Sequence, residues 1–450
     1  MAFRIAWTMA SDRSHPNRGW LTFGRLFAFW SRRMDQATAA QPSPPPSARG
    51  SRDRAALPER TRLAIGFIPL TDAAPLIVAD RLGLFAAEGL EVSLRREPSW
   101  ANIRDKVTVG AYDAGHMLAP MPLASTLGLG GIAKPMRTGL SLGLNGNAIT
   151  LSTQLFERLC RVDPAGAAAI PMTAAPLKAL LAEDPTPLTF AVVFPFSSHA
   201  YLLRYWLASA GIDPDRDVRL IVVPPPQMAM TLAAGRVDGF CVGAPWNSVA
   251  VAEGVGRIAI AGSEIWPACP EKVLGVTADW ADRYPETHLA LIRAVLRAQA
   301  WIEQGANRDH LVELLADPDA VGVDPRLLRP ALDGALPFQQ GAAPRAVPGY
   351  HRFASSLAGF PWISQARWLL DQMARWGQID PTLDRDGVAR AVYRPDLYRV
   401  AAMALGQPAP TIDTKPEGQH AEPWLLADAS RPIPMEADRF FDRPAARDAA

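Results

Sequence analysis

The chain of 450 residues is 49% apolar with a mean hydropathy near zero, so it can bury a large core and is not disordered as a whole. Its formal net charge is +1, because 46 basic residues nearly balance 45 acidic ones, which excludes a general attraction to nucleic acid or to an acidic membrane surface. The three cysteines, Cys160, Cys241 and Cys269, are far apart and form no CxxC unit, so neither a disulfide framework nor a zinc site is predicted.

Residues 1–60 end in the Pro-, Ser- and Arg-rich stretch AQPSPPPSARGSRDRAALPER, and we expect them to form a disordered extension and linker. The apolar run at 20–30 is the candidate for the hydrophobic part of an export signal, but Arg25 interrupts it and SRRMD follows it directly. No run approaches the roughly 20 apolar residues that span a bilayer. We therefore expect a cytoplasmic protein, with a periplasmic or peripheral inner-membrane location as the alternative.

From residue 61, short β-branched runs alternate with helical patterns, which is typical of an α/β domain. The first unit runs from LAIGFIP to DAGHML, and a second unit with the same alternation runs from LTFAVVF to PWNSVAVAEG. Two long helical patterns, HLALIRAVLRAQAWIEQG and ARWLLDQMARWGQ, then return to the first unit. We predict two lobes and a tail: lobe 1 from 61–152 and 264–400, lobe 2 from 153–263, and an extended C-terminal tail at 401–450.

A first candidate for ligand binding lies where a buried strand pattern ends and an amphipathic helix begins. Ser197 and Ser198 are good helix-capping residues, and His199 falls in the first helical turn. The free N–H groups and the positive end of the dipole at such a place accept an anion, and His199 would add a donor. An ordinary capped helix start is the alternative.

Further candidates lie at the ends of other strands. Lys272 would offer a compact charge with three donors, and Glu271 could orient it or receive a proton, although an exposed ion pair is the alternative. Trp100 could line a small-ligand cleft or pack in the core. The segments VPPPQM (223–228) and VGAPWN (242–247) follow strands at the edge where open α/β sheets bind ligands.

A series of motifs extends in chain order over roughly residues 61–400: IGFIPLTDAAPLIVA, SWANIRDKV, HMLAPMPLASTLGLGG, LNGNAITLS, SHAYLLRYWLA, PPPQM, APWN and YRPDLYR. Together they resemble the nitrate- and bicarbonate-binding branch of the solute-binding proteins of ABC transporters. The resemblance implies an α/β, type II periplasmic-binding-protein-like fold, with two lobes and a ligand cleft between them. By position in these motifs, it implies seven ligand-binding residues: Trp100, Gln154, His199, Pro225, Val242, Glu271 and Lys272.

The resemblance also bears on catalysis, because the same fold includes enzymes. The cysteine-rich cluster of a pyrimidine synthase is missing, and Ala73 and Ala74 stand where a sulfinate hydrolase would need a nucleophilic cysteine. His116 lies in an apolar strand pattern, which favours a hydrogen-bonded core histidine over an acid or base. We therefore expect no enzyme activity, no cofactor and no metal.

Without an export signal, the chain is more similar to the cytoplasmic NasS-type sensors of nitrate and nitrite. That resemblance implies a receptor that sequesters an ANTAR-type RNA-binding antiterminator and releases it when nitrate or nitrite binds, without itself contacting nucleic acid. The alternative is the solute-binding component of a nitrate or bicarbonate ABC transporter, with a membrane permease as its partner. Residue types alone do not separate nitrate from nitrite or bicarbonate.

Overall fold

A computed structural model of the protein describes residues 57–442. Most of the predicted N-terminal extension, residues 1–56, and the last eight residues of the predicted tail, 443–450, lie outside this part. Glu59 is described and is held in place, because its Oε2 accepts the backbone N–H of Thr287 at 2.9 Å. No helix between residues 57 and 442 is long and apolar enough to cross a membrane.

The strands are short and form two main sheets and two small hairpins. In chain order they are β1 (Arg62–Phe67), β2 (Glu91–Arg96), β3 (Ala114–Leu118), β4 (Met136–Asn145), β5 (Asn147–Ser152), β6 (Leu188–Val192), β7 (Val218–Val222), β8 (Gly239–Gly243), β9 (Gly256–Ala261), β10 (Pro270–Thr277), β11 (Ala335–Leu336), β12 (Arg345–Ala346), β13 (His351–Arg352), β14 (Trp424–Leu426) and β15 (Ile433–Met435).

The helices cover both main sheets. They are α1 (Ala74–Arg81), α2 (Leu84–Ala87), α3 (Trp100–Thr108), α4 (Met121–Thr126), α5 (Thr153–Val162), α6 (Pro164–Ala168), α7 (Ala175–Glu183), α8 (Ser198–Ser209), α9 (Met228–Ala233), α10 (Trp246–Ala252), α11 (Gly262–Ile265), α12 (Ala278–Arg283), α13 (Pro285–Ile302), α14 (Arg308–Ala316), α15 (Pro325–Asp333), α16 (Ile363–Arg375), α17 (Arg385–Val392) and α18 (Pro395–Ala404).

Both main sheets are mixed. One has the order β13-β4-β10-β3-β1-β2, in which β1, β2 and β3 are parallel and β10 runs antiparallel to β3 and β4. The other has the order β7-β6-β8-β5-β9, in which β6, β7 and β8 are parallel and β5 runs antiparallel to β8 and β9. The beginnings of β10 and β5 therefore lie beside the carboxyl ends of the parallel strands, which is the edge where such sheets bind ligands.

Local sequence explains where the helices next to these edges begin. The side chains of Ser99, Ser152 and Ser197 accept the backbone N–H groups of Asn102, Leu155 and Ala200, and so cap α3, α5 and α8. Strands β3, β8 and β10 are buried along their whole length, because helices cover both faces of the sheets. The alternation predicted from the sequence is thus present in the α/β fold.

The chain passes from the first sheet to the second at Gly146, between β4 and β5. Gly146 has a φ of +88°, and a Cβ there would lie 1.9 Å from the ring of His351, so only glycine fits. Strand β5, which we assigned to lobe 1, pairs in the sheet assigned to lobe 2. The division into lobes remains a proposal, with its first crossing at Gly146 rather than after Ser152.

The segment after residue 400 differs from the predicted extended tail. Helix α18 continues to Ala404, and β14 and β15 then pair as a hairpin. The ring of Phe440 packs against Trp266, Trp368 and Tyr205, with centroids 5.0, 5.9 and 5.4 Å apart. The segment is rich in proline and polar residues, but burial of its widely spaced apolar residues packs it against the core.

Candidate functional site

Five ionisable side chains meet where the two sheets face each other: Asp72, His116, His199, Glu271 and Lys272. Each is at most 2% exposed. We call them the charged cluster. Such burial is costly for isolated charges, so charged groups at this depth are found paired.

Sheet topology brings these side chains together from distant parts of the sequence. Asp72 lies in the short 3₁₀ turn that follows β1, and His116 lies in β3. Because β10 is antiparallel to β3, Lys272 pairs with Leu118 at the carboxyl end of that strand. From the second sheet, the connection after β6 leads into α8, whose first turn contains His199.

The Lys272 ammonium lies at the centre of the charged cluster. Its Nζ is 2.7 Å from Asp72 Oδ2 and 2.5 Å from Glu271 Oε1. The same Nζ lies 5.3 Å from the ring centre of Trp100, within the range of a cation–π contact. Since an ammonium has three N–H donors, the two carboxylates leave one donor over.

Glu271 links the two sheets. His199 Nε2 lies 2.8 Å from Glu271 Oε1, and Asn147 Nδ2 donates to Glu271 Oε2 at 2.8 Å. Glu271 belongs to β10 of the first sheet, whereas Asn147 begins β5 of the second. The protein is therefore closed over the charged cluster in this structure.

Hydrogen bonds to two backbone carbonyl groups support the same closure. Ser198 Oγ donates to the carbonyl of Pro270 at 2.6 Å, and Thr71 N–H donates to the carbonyl of Ala244 at 3.0 Å. A Cβ on Gly243, at the end of β8, would lie 3.3 Å from Asp72 Oδ2. A larger residue at this position would enter the charged cluster, so glycine allows the two edges to approach each other.

Each ring nitrogen of His116 has a polar neighbour. Its Nδ1 accepts the backbone N–H of Ile68 at 3.4 Å, and its Nε2 lies 3.1 Å from Asp72 Oδ1. The ring also packs against Trp100, with centroids 5.3 Å apart. Burial lowers the pKa of His116 below its usual value. This bonding agrees with a core histidine, but one that belongs to the charged cluster.

Pairing keeps the other members of the charged cluster ionised. Burial raises the pKa of Asp72, but the opposing effect of Lys272 and His116 is larger. The pKa of Asp72 is therefore well below its usual range. The pKa of Glu271 is likewise lowered, because His199 and Lys272 outweigh burial. Burial lowers the pKa of Lys272, yet Asp72 and Glu271 raise it above its ordinary value.

Two buried ring nitrogens at the charged cluster have no protein partner. Trp100 Nε1 and His199 Nδ1 are both buried and make no hydrogen bond to any residue in the range 57–442. Together with the remaining N–H of Lys272, the indole N–H can meet an anion. No group of three or more His, Cys, Asp or Glu side chains in the described range is placed to hold a metal ion.

The structure brings four of the seven predicted site residues into direct contact in this cleft: Trp100, His199, Glu271 and Lys272. Val242 is fully buried next to Gly243 at the end of β8. Pro225 is buried in the 3₁₀ turn after β7, at the same edge of the sheet. These two residues shape that edge without a polar side chain to contribute.

Gln154 lies away from the charged cluster, in contrast to its predicted place in the site. It is exposed in the first turn of α5, which follows the last residue of β5. Because β5 is antiparallel to β8, its beginning at Asn147 pairs with Gly243 at the cleft, whereas Leu151 pairs with Gly239 at the opposite end. The amide in this part of the site comes from Asn147.

Asp72 and Asn147 were missed in the sequence, although both fall inside motifs quoted above. The signal for each is a polar side chain surrounded by apolar residues, in PLTDAAP and in GNAITL. A buried polar residue of this kind needs a partner.

We expect Asn147→Ala to weaken oxyanion binding about tenfold or more, because Glu271 loses a hydrogen bond to its charged group. Gln154→Ala is the matched control and should leave the affinity unchanged, since Gln154 lies at the far end of β5. Titration calorimetry of both variants tests this assignment. Equal loss of affinity in both variants would restore Gln154 to the site.

Comparison with known proteins supports the family predicted from the motifs. Residues 56–316 match the model of the NMT1-like family. The nitrate/nitrite binding protein NrtA of Synechococcus elongatus is 37% identical over 391 residues, which cover 84% of this chain and 85% of the relative. The crystal structure of the periplasmic nitrate-binding protein NrtA from Synechocystis superposes with a TM-score of 0.75 at 31% identity, covering 86% of this chain and 95% of that one.

The nitrate import ATP-binding protein NrtC of Synechocystis is 42% identical over 355 residues, which cover 78% of this chain. This chain spans about half the length of that relative, 51%, so the similarity concerns part of it. The extent of these matches shows that the chain belongs to the NMT1-like family and, within it, to the nitrate- and bicarbonate-binding solute-binding proteins.

Proposed function

We propose that the protein is the solute-binding receptor of an ABC transporter and that it binds nitrate or nitrite in the cleft between its two lobes. One observation carries the proposal: the buried Lys272 ammonium has a donor left over beside the unpartnered indole N–H of Trp100. Both donors lie at the edge where the two sheets close on each other. Charge-assisted donors in a dry cleft are the groups that bind a small oxyanion.

The two relatives called NrtA are named as nitrate-binding proteins, and NrtC is named as a nitrate import protein. These likenesses support transport over the cytoplasmic sensor that we expected from the sequence. An antiterminator partner has no support from the described residues. Receptor and sensor would use the same cleft, so compartment and partner distinguish them.

A calorimetric panel of nitrate, nitrite and bicarbonate tests the ligand, with sulfate as a tetrahedral control. We expect nitrate and nitrite to bind and sulfate not to bind, because burying a dianion beside two buried carboxylates costs more free energy than burying a monovalent anion. Binding of bicarbonate alone would move the protein to carbon uptake. No binding of any of the three would overturn the proposal.

Cell fractionation followed by pull-down tests the role. A transport receptor should be recovered outside the cytoplasm or at the inner membrane, with a permease whose association is strengthened by nitrate. Recovery in the cytoplasm with a protein that nitrate releases would favour the sensor. In either case the ligand must bind one lobe arrangement more tightly than the other, since equal affinity for both would leave the equilibrium between them unchanged.

A further inference from the structure

The charged cluster contains more negative than positive charge, which is unexpected for an anion site. Asp72 and Glu271 are carboxylates and Lys272 is an ammonium, so the net charge is −1 while both imidazoles are neutral. Other titratable groups face the same space but add no charge when neutral: His351, Tyr350, Cys241 and Cys269. A bound monovalent anion would increase the negative charge in a region closed to water.

Uncompensated charge at this depth is strongly unfavourable. The three fixed charges already satisfy one another, so compensation for the anion must come from a proton. From these charges we infer that the receptor takes up one proton with each monovalent anion and that His199 carries this proton. This inference rests on the proposed oxyanion site.

The surroundings of the two ring nitrogens of His199 support this assignment. The contact between His199 Nε2 and Glu271 Oε1, at 2.8 Å, needs one hydrogen, which a neutral imidazole supplies. Its Nδ1 is then a lone pair, which cannot donate to an anion. Nδ1 is buried without a partner in residues 57–442. A second hydrogen on this ring makes Nδ1 a hydrogen-bond donor. It also adds the positive charge that compensates for the anion.

His116 does not carry this proton. Its Nδ1 already accepts the backbone N–H of Ile68, and its Nε2 faces Asp72. The neutral ring therefore satisfies both contacts, and protonation of Nδ1 would set two donors against each other. His351 is likewise engaged, since its Nε2 lies 2.7 Å from Thr71 Oγ1.

The position of His199 makes its protonation depend on the anion. It lies in the first turn of α8, a 12-residue helix whose positive dipole end opposes a positive charge on the ring. Glu271 favours that charge, but shares its Oε1 with Lys272. An anion bound in the cleft adds negative charge near the ring and so favours the protonated form of His199. Proton and anion then each strengthen the binding of the other by the same factor.

Calorimetry of the full chain with sodium nitrate tests the inference, because nitrate does not titrate near neutral pH. Observed enthalpies at one pH in several buffers of different ionisation enthalpy give the number of protons bound. We expect about one proton per nitrate, and a dissociation constant that rises up to about tenfold per pH unit where the free site is unprotonated. Nitrate binding with no proton uptake would overturn the inference and leave the proposed function intact.

Two variants separate His199 from other groups. His199→Gln keeps an amide donor but cannot gain a charge, so any nitrate that it binds should be taken up without a proton. Glu271→Gln removes one negative charge, so that the anion no longer needs a proton, and uptake should again fall to about zero. Undiminished uptake in His199→Gln would overturn the assignment to that residue. If the unmodified chain binds no nitrate, the proposed function fails and this inference fails with it.

Discussion

Lys272→Ala should weaken nitrate binding by well over tenfold and destabilise the protein by about 3–5 kcal/mol, because removing one partner leaves buried charges unpaired. Lys272 is fully buried, and its ammonium contacts both Asp72 and Glu271. For binding alone, the loss of a buried charged partner costs about 2–5 kcal/mol, which is well over tenfold in affinity. Calorimetry with nitrate and urea unfolding measure the two effects.

Lys178→Ala is the matched control, since Lys178 is exposed, lies outside the charged cluster and donates to the carbonyl of Gly211. Its affinity and stability should be those of the unmodified chain. Asp72→Asn combined with Lys272→Met removes one charge of each sign. We expect this double variant to be more stable than Lys272→Ala, because it leaves fewer unpaired carboxylates. If Lys272→Ala unfolds at the same urea concentration as the unmodified chain, the charged cluster does not contribute as described.

The protein should lose stability on mild acidification, between pH 6.5 and about 4. Burial lowers the pKa of His288 to about 4, and burial also lowers the pKa of His351 to about 4. Below pH 6.5 the unfolded chain binds protons at these rings while the folded chain does not, so stability is complete above 6.5 and falls towards pH 4. Each ring should account for about 3 kcal/mol. Asp72 and Glu271 also have lowered pKa values, and their contribution to stability is lost separately, at pH values below the usual pKa of a carboxylate.

Urea unfolding at several pH values between 7.5 and 4.5 tests this dependence. In His288→Phe, which keeps an aromatic ring against Trp280, the loss between pH 6.5 and 4.5 should shrink but not vanish, because burial also lowers the pKa values of His351 and His116. His310→Gln is the matched control, because His310 is exposed, and its pH dependence should be unchanged. An unaltered pH dependence in His288→Phe would assign the acid sensitivity to other groups.

Local pattern determined much of this fold. Alternation of apolar runs with helical patterns predicted the α/β class, and Ser197 predicted the beginning of α8, since helix capping depends on neighbouring residues alone. Motif resemblance identified the family and predicted Trp100, His199 and Lys272 as site residues. Each of these inferences needs only residues that are close together in the sequence.

Only the tertiary structure decided which polar groups meet. Gln154 and Asn147 lie in the same short motif, but the antiparallel register of β5 with β8 places Asn147 at the cleft and the residues after Ser152 at the far end. Register depends on pairing between residues almost one hundred positions apart, which no local pattern specifies. The segment after residue 400 differs from the predicted extended tail for the same reason, because Phe440 packs against Trp266 and Trp368, which are distant in the sequence.

The sequence by itself thus determined the family, the alternation of elements and most of the cationic and aromatic residues of the site. The partners of those residues were decided by the tertiary structure. Lys272 could be recognised as a donor, but its pairing with Asp72, 200 positions earlier, follows from β10 running antiparallel to β3. The charge balance of a buried site depends on distances between such residues, and those distances exist only once the sheets have formed.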